Sequence, residues 1–204
     1  MVAEPDKPPP VAQRLVRGHP PYPDMLLARL GSDAPGALTA IGPVALLVHR
    51  RTALFCSAHT PGDAILRAHD AARRMRDEGV TVISGFHSPI EQECLRILLR
   101  GKQPIIVCPA RAIETMRIPT ECRAAFDAGR VLFLSPFATE PRRATKESAA
   151  RRNEFVAALA DVAYIPHMSP SGQTARIAEM LAARNVPLAP NERTTIETKR
   201  HQDP

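Results

Sequence analysis

Two loops that combine hydroxyl side chains with glycine could hold phosphate groups. Ser84-Gly85 follows a short apolar run, and Ser171-Gly172-Gln173-Thr174 leads into an amphipathic stretch. Glycine lets an anion approach the backbone closely, and the free N–H groups at the start of a helix attract negative charge. Hydroxyl groups in such places also cap helices, and for either loop alone this structural role is favoured.

The next candidate feature is a basic segment. Residues 141–152 carry five basic side chains and one acidic side chain, a net charge of +4 in a chain whose overall charge is +6. Such a run is either a solvated helix face or a binding surface for an anion. Together with the two loops, it favours a ligand that contains phosphate. The charged residues of the segment are Arg142, Arg143, Lys146, Glu147, Arg151 and Arg152.

Short apolar or β-branched runs alternate with amphipathic stretches along the chain. This alternation predicts an α/β, Rossmann-like three-layer fold, with a mostly parallel sheet and helices on both faces. In such folds ligands bind beyond the carboxyl ends of the strands, where both loops lie. The predicted strands are 44–48, 53–56, 80–83, 105–108, 131–134, 162–165 and 186–188. The predicted helices are 24–30, 62–78, 89–100, 120–128, 146–160 and 172–184.

Two of the predicted helix starts share one pattern. Thr60-Pro61-Gly62-Asp63 and Ser88-Pro89-Ile90-Glu91 each place a hydroxyl group before a proline and a carboxylate three residues after the hydroxyl. The pattern predicts that the hydroxyl caps the helix and that the carboxylate bonds back to the capping residue. Because Glu91 would be occupied in this way, we expect no catalytic role for it, and no catalytic residue elsewhere.

The two ends of the chain differ in composition from its middle. Residues 1–20 begin with a proline-rich stretch, and residues 191–204 are almost entirely polar. Both predict flexible segments on either side of a single domain at 21–190. No apolar run is long enough to cross a bilayer, and the start lacks the pattern of a secretory signal. The sequence therefore predicts a cytoplasmic location.

Several classes of enzyme and metal site lack their signatures in this sequence. It has no GxSxG, Walker, GxGxxG or HExxH motif, and its four cysteines form no CxxC pair. His59, His69 and His87 do not have the spacing of a helical metal-binding pair. We therefore expect no cofactor and no metal. Aromatic residues make up 4% of the chain, without tryptophan, so rings on which bases could stack are scarce.

Seven short segments carry a resemblance to a known family, and their order adds to its specificity. They are Tyr22-Pro23, Asp33-Ala34-Pro35, Gly42, Cys56-Ser57-Ala58, 82–91, 151–159 and 171–175. In this order the segments resemble the DprA/Smf DNA-processing family, within the superfamily that includes the lysine-decarboxylase-like LOG proteins. Four positions depart from the family pattern. Ala58 and Ser88 stand where it has arginines, Pro89 replaces a glycine, and Glu154 replaces a basic residue.

The resemblance implies a protein that binds single-stranded DNA or nucleotide phosphates at the carboxyl edge of the sheet, without catalysis. It also implies a recombinase partner and a homo-oligomer, most simply a dimer. Two alternatives stay open: a sensor of a nucleotide or nucleotide-derived signal, and a nucleotide N-glycosidase of the LOG type that uses Glu91. The expected binding residues are Ser57, Ser84, Gly85, Arg151, Arg152, Asn153, Ser171, Gly172 and Thr174.

Overall fold

The computed structural model describes residues 10–57, 60–169 and 172–191. Within these ranges the chain forms seven strands and six α-helices. The strands are β1 (Gln13–Val16), β2 (Ala37–Ile41), β3 (Arg51–Leu54), β4 (Thr81–Ser84), β5 (Ile105–Val107), β6 (Val131–Ser135) and β7 (Val162–Tyr164). The helices are α1 (Asp24–Leu30), α2 (Gly62–Asp77), α3 (Pro89–Leu99), α4 (Thr120–Asp127), α5 (Lys146–Leu159) and α6 (Gln173–Ala183).

All seven strands belong to one sheet, in the order β1-β2-β6-β5-β4-β3-β7. The five strands from β6 to β7 run parallel to one another. At the β6 edge, β2 and then β1 add an antiparallel pair. Parallel strands need crossover connections, and α2 to α5 supply them. The sheet is thus mostly parallel, as the sequence predicts.

Each face of the sheet is covered by three helices that bury an apolar surface. One core contains Leu26 of α1, Phe155 of α5 and Leu181 of α6. The core on the other face contains Ala72 of α2, Leu98 of α3 and Ala125 of α4. Burial on both faces explains why the central strands are apolar almost throughout. The predicted α/β three-layer fold is confirmed.

The order in which the crossover connections add strands to the sheet reverses between β3 and β7. From β3 to β6 each crossover adds a strand on the same side, whereas α5 crosses back and places β7 beside β3. The helices after β3 and β7, α2 and α6, therefore cover opposite faces. A crevice opens beyond the strand ends at such a point, and ligands of doubly wound folds bind there.

The structure corrects several details of the sequence prediction. The apolar run Val44–Val48 forms a 3-10 helix rather than an edge strand, and it follows Pro43. Residues 186–188 contribute only an isolated bridge between Leu188 and Ala163. Strands β1 and β2 were not predicted, and β1 lies inside the segment 1–20 that was expected to be flexible. Residues 1–9 and 192–204 lie outside the described residues. Within the described part of the chain, no helix combines the length and apolar character needed to cross a bilayer.

Candidate functional site

An open cavity of about 410 Å³ lies beyond the carboxyl ends of β4 and β5, and arginine is the commonest residue in its wall. Its volume is in the range of small-molecule sites. No acidic residue contributes to the wall, so the cavity favours an anion. The residues that line it are Gly85, His87, Pro109, Ala110, Arg111, Arg142, Arg143, Ala144 and Arg152.

Arg152 forms the buried part of this wall. Its side chain reaches from α5 to the loop after β5, where Nη1 donates a hydrogen bond to the Cys108 carbonyl oxygen at 3.1 Å. Its Nε donates to Oδ1 of Asn153 at 2.8 Å. Arg152 is only 4% exposed, and this burial lowers the pKa of its guanidinium, whereas the nearby Glu91 carboxylate raises it. Asn153 therefore bonds to the guanidinium group of Arg152 and is not itself part of the cavity wall.

The Glu91 carboxylate joins two strand-end loops. One oxygen accepts a hydrogen bond from the backbone N–H of Cys56, after β3, at 3.0 Å. The other accepts from the N–H groups of His87 and Ser88, after β4, at 2.8 and 3.1 Å. The Ser88 hydroxyl accepts from the Glu91 N–H in return, so the capping box predicted for α3 is present. Glu91 is buried, and its negative charge partly offsets the positive charge of Arg152.

Serine residues end β4 and β6 in the same local geometry. Ser84 Oγ donates to the Leu54 carbonyl oxygen at 2.7 Å and accepts from the Phe86 N–H at 3.2 Å. Ser135 Oγ donates to the Arg111 carbonyl oxygen at 2.7 Å and accepts from the Phe137 N–H at 3.1 Å. Ser84 therefore ties the end of β4 to the last residue of β3, and Ser135 ties the end of β6 to the loop after β5. Ser84 is fully buried, so its hydroxyl has no surface open to a ligand in this conformation.

The first turn of α5 is fixed to the same region. Thr145 and Ser148 form a reciprocal capping box, and Ser148 Oγ also donates to the Ala110 carbonyl oxygen at 2.7 Å. Because Ala110 lines the cavity, this bond holds the start of α5 against it. The basic residues that follow on α5 are positioned as a result.

The remaining arginines lie at the mouth of the cavity or beside it. Arg111 is half-buried, whereas Arg142 and Arg143 are exposed, and Arg142 Nε lies 3.6 Å from a carboxylate oxygen of Glu140. Arg151, next on α5, is exposed and places its guanidinium carbon 5.4 Å from the centre of the Phe137 ring. Among the described residues, Arg111, Arg143 and Arg151 have no carboxylate within 4.0 Å. Their charge is available to an anionic ligand.

The other predicted site residues lie where β3 and β7 end. Ser57 is half-buried, and its carbonyl oxygen accepts from Thr60 Oγ1 at 2.9 Å. Gly172 is the N-cap residue of α6. Thr174, in the first turn, is 2% exposed and its hydroxyl has no hydrogen-bond partner among the described residues. Ser171 lies outside the described residues.

The predicted residues therefore form two groups along one edge of the sheet. Gly85, Arg152 and Asn153 meet at the ends of β4 and β5, whereas Ser57, Gly172 and Thr174 lie at the ends of β3 and β7. The sequence analysis did not include Arg111, Arg142 and Arg143 among the site residues. The last two belong to the basic segment, so a signal for them existed, whereas Arg111 is a single arginine in a loop.

A family model for DNA recombination-mediator protein A matches residues 13–201 of the chain. The chain belongs to this family. The resemblance to DprA proteins that the motif order indicates is thereby confirmed, and the match includes β1, inside the segment that the sequence analysis placed before the domain.

Two solved structures support the fold of this DprA-family chain. The DNA processing protein A of Helicobacter pylori, whose structure describes a single-stranded DNA binding mode, superposes with a TM-score of 0.67 at 20% identity. That match covers 87% of this chain and 79% of the other. The protein from Streptococcus pneumoniae gives a TM-score of 0.71 at 16% identity, and covers 86% of this chain but 61% of that one. No curated protein sequence matches the chain significantly.

Proposed function

We propose that this DprA-family chain binds single-stranded DNA through its phosphates at the carboxyl edge of the sheet. The observation that carries the proposal is the convergence of Arg111, Arg142, Arg143 and Arg152 on one cavity. Membership of the DNA recombination-mediator family supports it, and so does the binding of single-stranded DNA by the related protein of Helicobacter pylori.

The exposed and the buried arginines contribute to binding in different ways. Arg111 and Arg143 have no carboxylate partner among the described residues, so neither has to break an ion pair in order to bind a phosphate. Guanidinium groups bind phosphate through short, charge-assisted hydrogen bonds. Arg152 is already bonded to Cys108 and Asn153, and it supplies fixed positive charge at the base of the cavity. Ser57, after β3, and Gly172, after β7, offer a second contact for a longer strand.

Binding of this kind needs no bond to be made or broken, and no catalytic residue is part of the proposal. The buried carboxylate of Glu91 accepts three backbone hydrogen bonds, a role that makes it a structural group. A recombinase partner and a dimeric state are further predictions from the family resemblance, and a cytoplasmic location is a prediction from the sequence.

A second candidate function is the sensing of a free nucleotide. The volume of the cavity favours it, because about 410 Å³ lies in the range of sites that enclose one small ligand. The two functions differ in how binding depends on strand length. A nucleotide sensor is stabilised by a mononucleotide at micromolar to millimolar concentration, whereas a strand-binding protein requires several linked phosphates. Thermal unfolding in the presence of single nucleotides and of oligonucleotides separates them.

The proposal is tested by the salt dependence of oligonucleotide binding. Each phosphate contact to a single strand adds about 0.7 to the slope of log affinity against log salt. The variant Arg111→Ala/Arg143→Ala, which removes two such contacts, should therefore bind a 20-nucleotide strand roughly 10-fold or more weakly, with a slope smaller by about 1.4. The matched control is Arg73→Ala/Arg96→Ala, which removes the same charge from the exposed faces of α2 and α3.

Equal affinity and equal slope in the two double variants would show that the cavity is not the phosphate site. The wild-type protein is measured with the strand and with a mononucleotide in the same buffer. Stabilisation by the mononucleotide alone, without strand binding, would replace the proposed function with the second candidate.

A further inference from the structure

The phenylalanine and tyrosine side chains of this protein are largely withdrawn from the surface. The chain has six phenylalanines, two tyrosines and no tryptophan, and all eight aromatic residues are among the described residues. Seven are buried, and Phe126 is half-buried. Proteins that bind single strands commonly stack bases on exposed rings or on the planes of arginine guanidinium groups. Among the phenylalanine and tyrosine residues of this chain, no exposed ring is available for that role.

Arg151 offers a planar surface in their place. Its guanidinium carbon lies 5.4 Å from the centre of the Phe137 ring, within the range of a cation–π contact. Phe137 is 3% exposed, so its ring is buried, and the guanidinium carbon of Arg151 lies over it. Arg151 itself is exposed, so its side chain is accessible to a ligand.

Both halves of this pair are tied to the same loop. The Phe137 N–H donates to Ser135 Oγ, which donates to the Arg111 carbonyl oxygen. On α5, Ser148 lies about one turn before Arg151 and donates to the Ala110 carbonyl oxygen. The two adjacent carbonyl groups thus set the ring and the helix relative to each other. This loop also lines the arginine cavity, so the pair lies beside it.

The distance between neighbouring β-strands would allow one single-stranded DNA molecule to contact both the Phe137–Arg151 pair and the arginine cavity. The Phe137–Arg151 pair lies beyond β6, and the cavity lies beyond β4 and β5, which are its next neighbours. Neighbouring strands are about 4.8 Å apart, so the two places are separated by roughly one to two strand spacings. A nucleotide spans a comparable distance between its base and its phosphates.

We infer that Arg151 is a base-stacking residue, with its guanidinium group held between the Phe137 ring and a nucleobase. This role rests on the proposed function, and it differs from the phosphate contact that the sequence analysis expected for Arg151. A guanidinium group is planar and weakly hydrated, so it stacks well, whereas the ammonium group of lysine is a compact, strongly hydrated charge. Because every base has a π-face, such a platform binds bases with little regard to their identity.

The experiment compares wild type with Arg151→Lys on two oligonucleotides of equal length. One is a thymidine strand, and the other is an abasic strand with the same number of phosphates. We expect the wild-type protein to prefer the thymidine strand by about 5-fold or more. Arg151→Lys keeps the charge, so its affinity for the abasic strand and its salt slope should stay within about 2-fold of wild type, while its preference for bases is mostly lost.

Arg96→Lys is the matched control, because it makes the same substitution at an exposed position of α3 that does not line the cavity. It should leave the ratio between the two strands unchanged. As a second measurement, a strand that contains 2-aminopurine should show base fluorescence quenched by wild type and less so by Arg151→Lys.

The outcomes separate this inference from the function on which it rests. If wild type binds neither strand, the proposed function is wrong. If it binds both strands but Arg151→Lys keeps the wild-type preference for bases, strand binding stands and the stacking role of Arg151 is wrong. A thermal unfolding curve of Arg151→Lys that matches wild type establishes that the variant is folded, as expected for an exposed side chain.

Discussion

Gly85 and Arg152 compete for one volume, since a Cβ atom added to Gly85 would lie 1.3 Å from Nη1 of Arg152. The absence of a side chain at Gly85 is what lets the guanidinium group cross the loop after β4 and reach the Cys108 carbonyl oxygen. The Ser-Gly and Arg-Asn motifs, far apart in the sequence, are therefore parts of one arrangement. The glycine serves the close approach of a side chain of the protein itself.

Substitution of Gly85 should act through Arg152. In Gly85→Ala the guanidinium group must leave its place and lose its hydrogen bonds, which we expect to lower the free energy of unfolding by about 1–3 kcal/mol. Urea denaturation measures this loss. In an Arg152→Ala background the same glycine substitution should have an effect below about 0.5 kcal/mol, because the competing group is gone. Equal effects in both backgrounds would contradict the proposed competition.

Replacement of Glu91 should loosen two loops together. Glu91→Gln removes the charge that faces Arg152 and weakens three backbone hydrogen bonds, so we expect a loss of about 2–3 kcal/mol in unfolding free energy. Glu121→Gln, an exposed carboxylate on α4, is the control and should change stability by less than about 0.5 kcal/mol. Hydrogen exchange should show faster exchange at the Cys56 and His87 amides in Glu91→Gln. Unchanged protection there would mean that other contacts hold the loops.

The helices were easier to predict than the strands, for reasons visible at individual residues. The sequence predicts helix 89–100 and the structure has Pro89–Leu99, because Ser88, Pro89 and Glu91 specify the start locally. Strand β1 has only Leu15 buried, so it carries no pattern that distinguishes it from a loop. It forms because β2 offers a partner. Tertiary pairing of this kind leaves little trace in a short segment.

Helix capping also shows that a local sequence pattern does not always determine the structure. Thr60 and Ser88 precede the same arrangement of proline and carboxylate, but only Ser88 caps its helix. Pro61 takes the N-cap position of α2, and Thr60 Oγ1 donates to the Ser57 carbonyl oxygen instead. The pattern describes what a hydroxyl group can reach along the chain. Which acceptor it chooses depends on the path of the preceding loop.

Removal of the Thr174 hydroxyl should have different effects on the stability of the protein and on its affinity for oligonucleotides. Because this buried hydroxyl has no partner among the described residues, Thr174→Val should leave the stability of the free protein unchanged or raise it by up to about 1 kcal/mol. If a phosphate of the ligand accepts from the hydroxyl, the same variant binds oligonucleotide several-fold more weakly. Thermal unfolding and strand binding are measured on one preparation. A clear loss of stability in Thr174→Val would show that the hydroxyl has a structural bond.

Alkaline pH should destabilise the protein through Cys108. Burial raises the pKa of this thiol to about 12, from an ordinary value of 9.0. Above pH 9 the unfolded chain loses this proton while the folded chain keeps it, so stability falls as the pH rises, by up to about 1.4 kcal/mol per pH unit. Chemical denaturation from pH 8 to 11 should give a smaller decline for Cys108→Ala than for wild type. Both proteins contain the same tyrosines, so their difference isolates the thiol.

The burial of the cysteines can also be tested at neutral pH through their reactivity. All four cysteines are free and buried, and a buried thiol is neutral and unreactive. A thiol reagent should therefore label none of them rapidly in the folded protein and all four after unfolding. Rapid labelling of the folded protein, or parallel pH curves for wild type and Cys108→Ala, would contradict this account of the thiols.

The candidate site was harder to predict than the fold because its parts come from separate loops. Arg142 and Arg143 were visible as charge, but nothing in the sequence says that they and Arg111 line one cavity. Ser84 was expected to face a phosphate because it follows a strand beside a glycine. The structure points its hydroxyl toward Leu54, inside the protein. Spacing along the chain identifies the edge of the sheet, whereas the direction of each side chain depends on packing.

The carbonyl groups of Ala110 and Arg111 accept hydrogen bonds from Ser148 and Ser135, so side chains of the protein itself hold this loop in place. A surface that is preorganised in this way loses little conformational entropy when it is occupied. In a complex with a single strand, the adaptable partner would then be the nucleic acid. Selection between ligands would follow from how readily each one bends to an edge whose shape is already set.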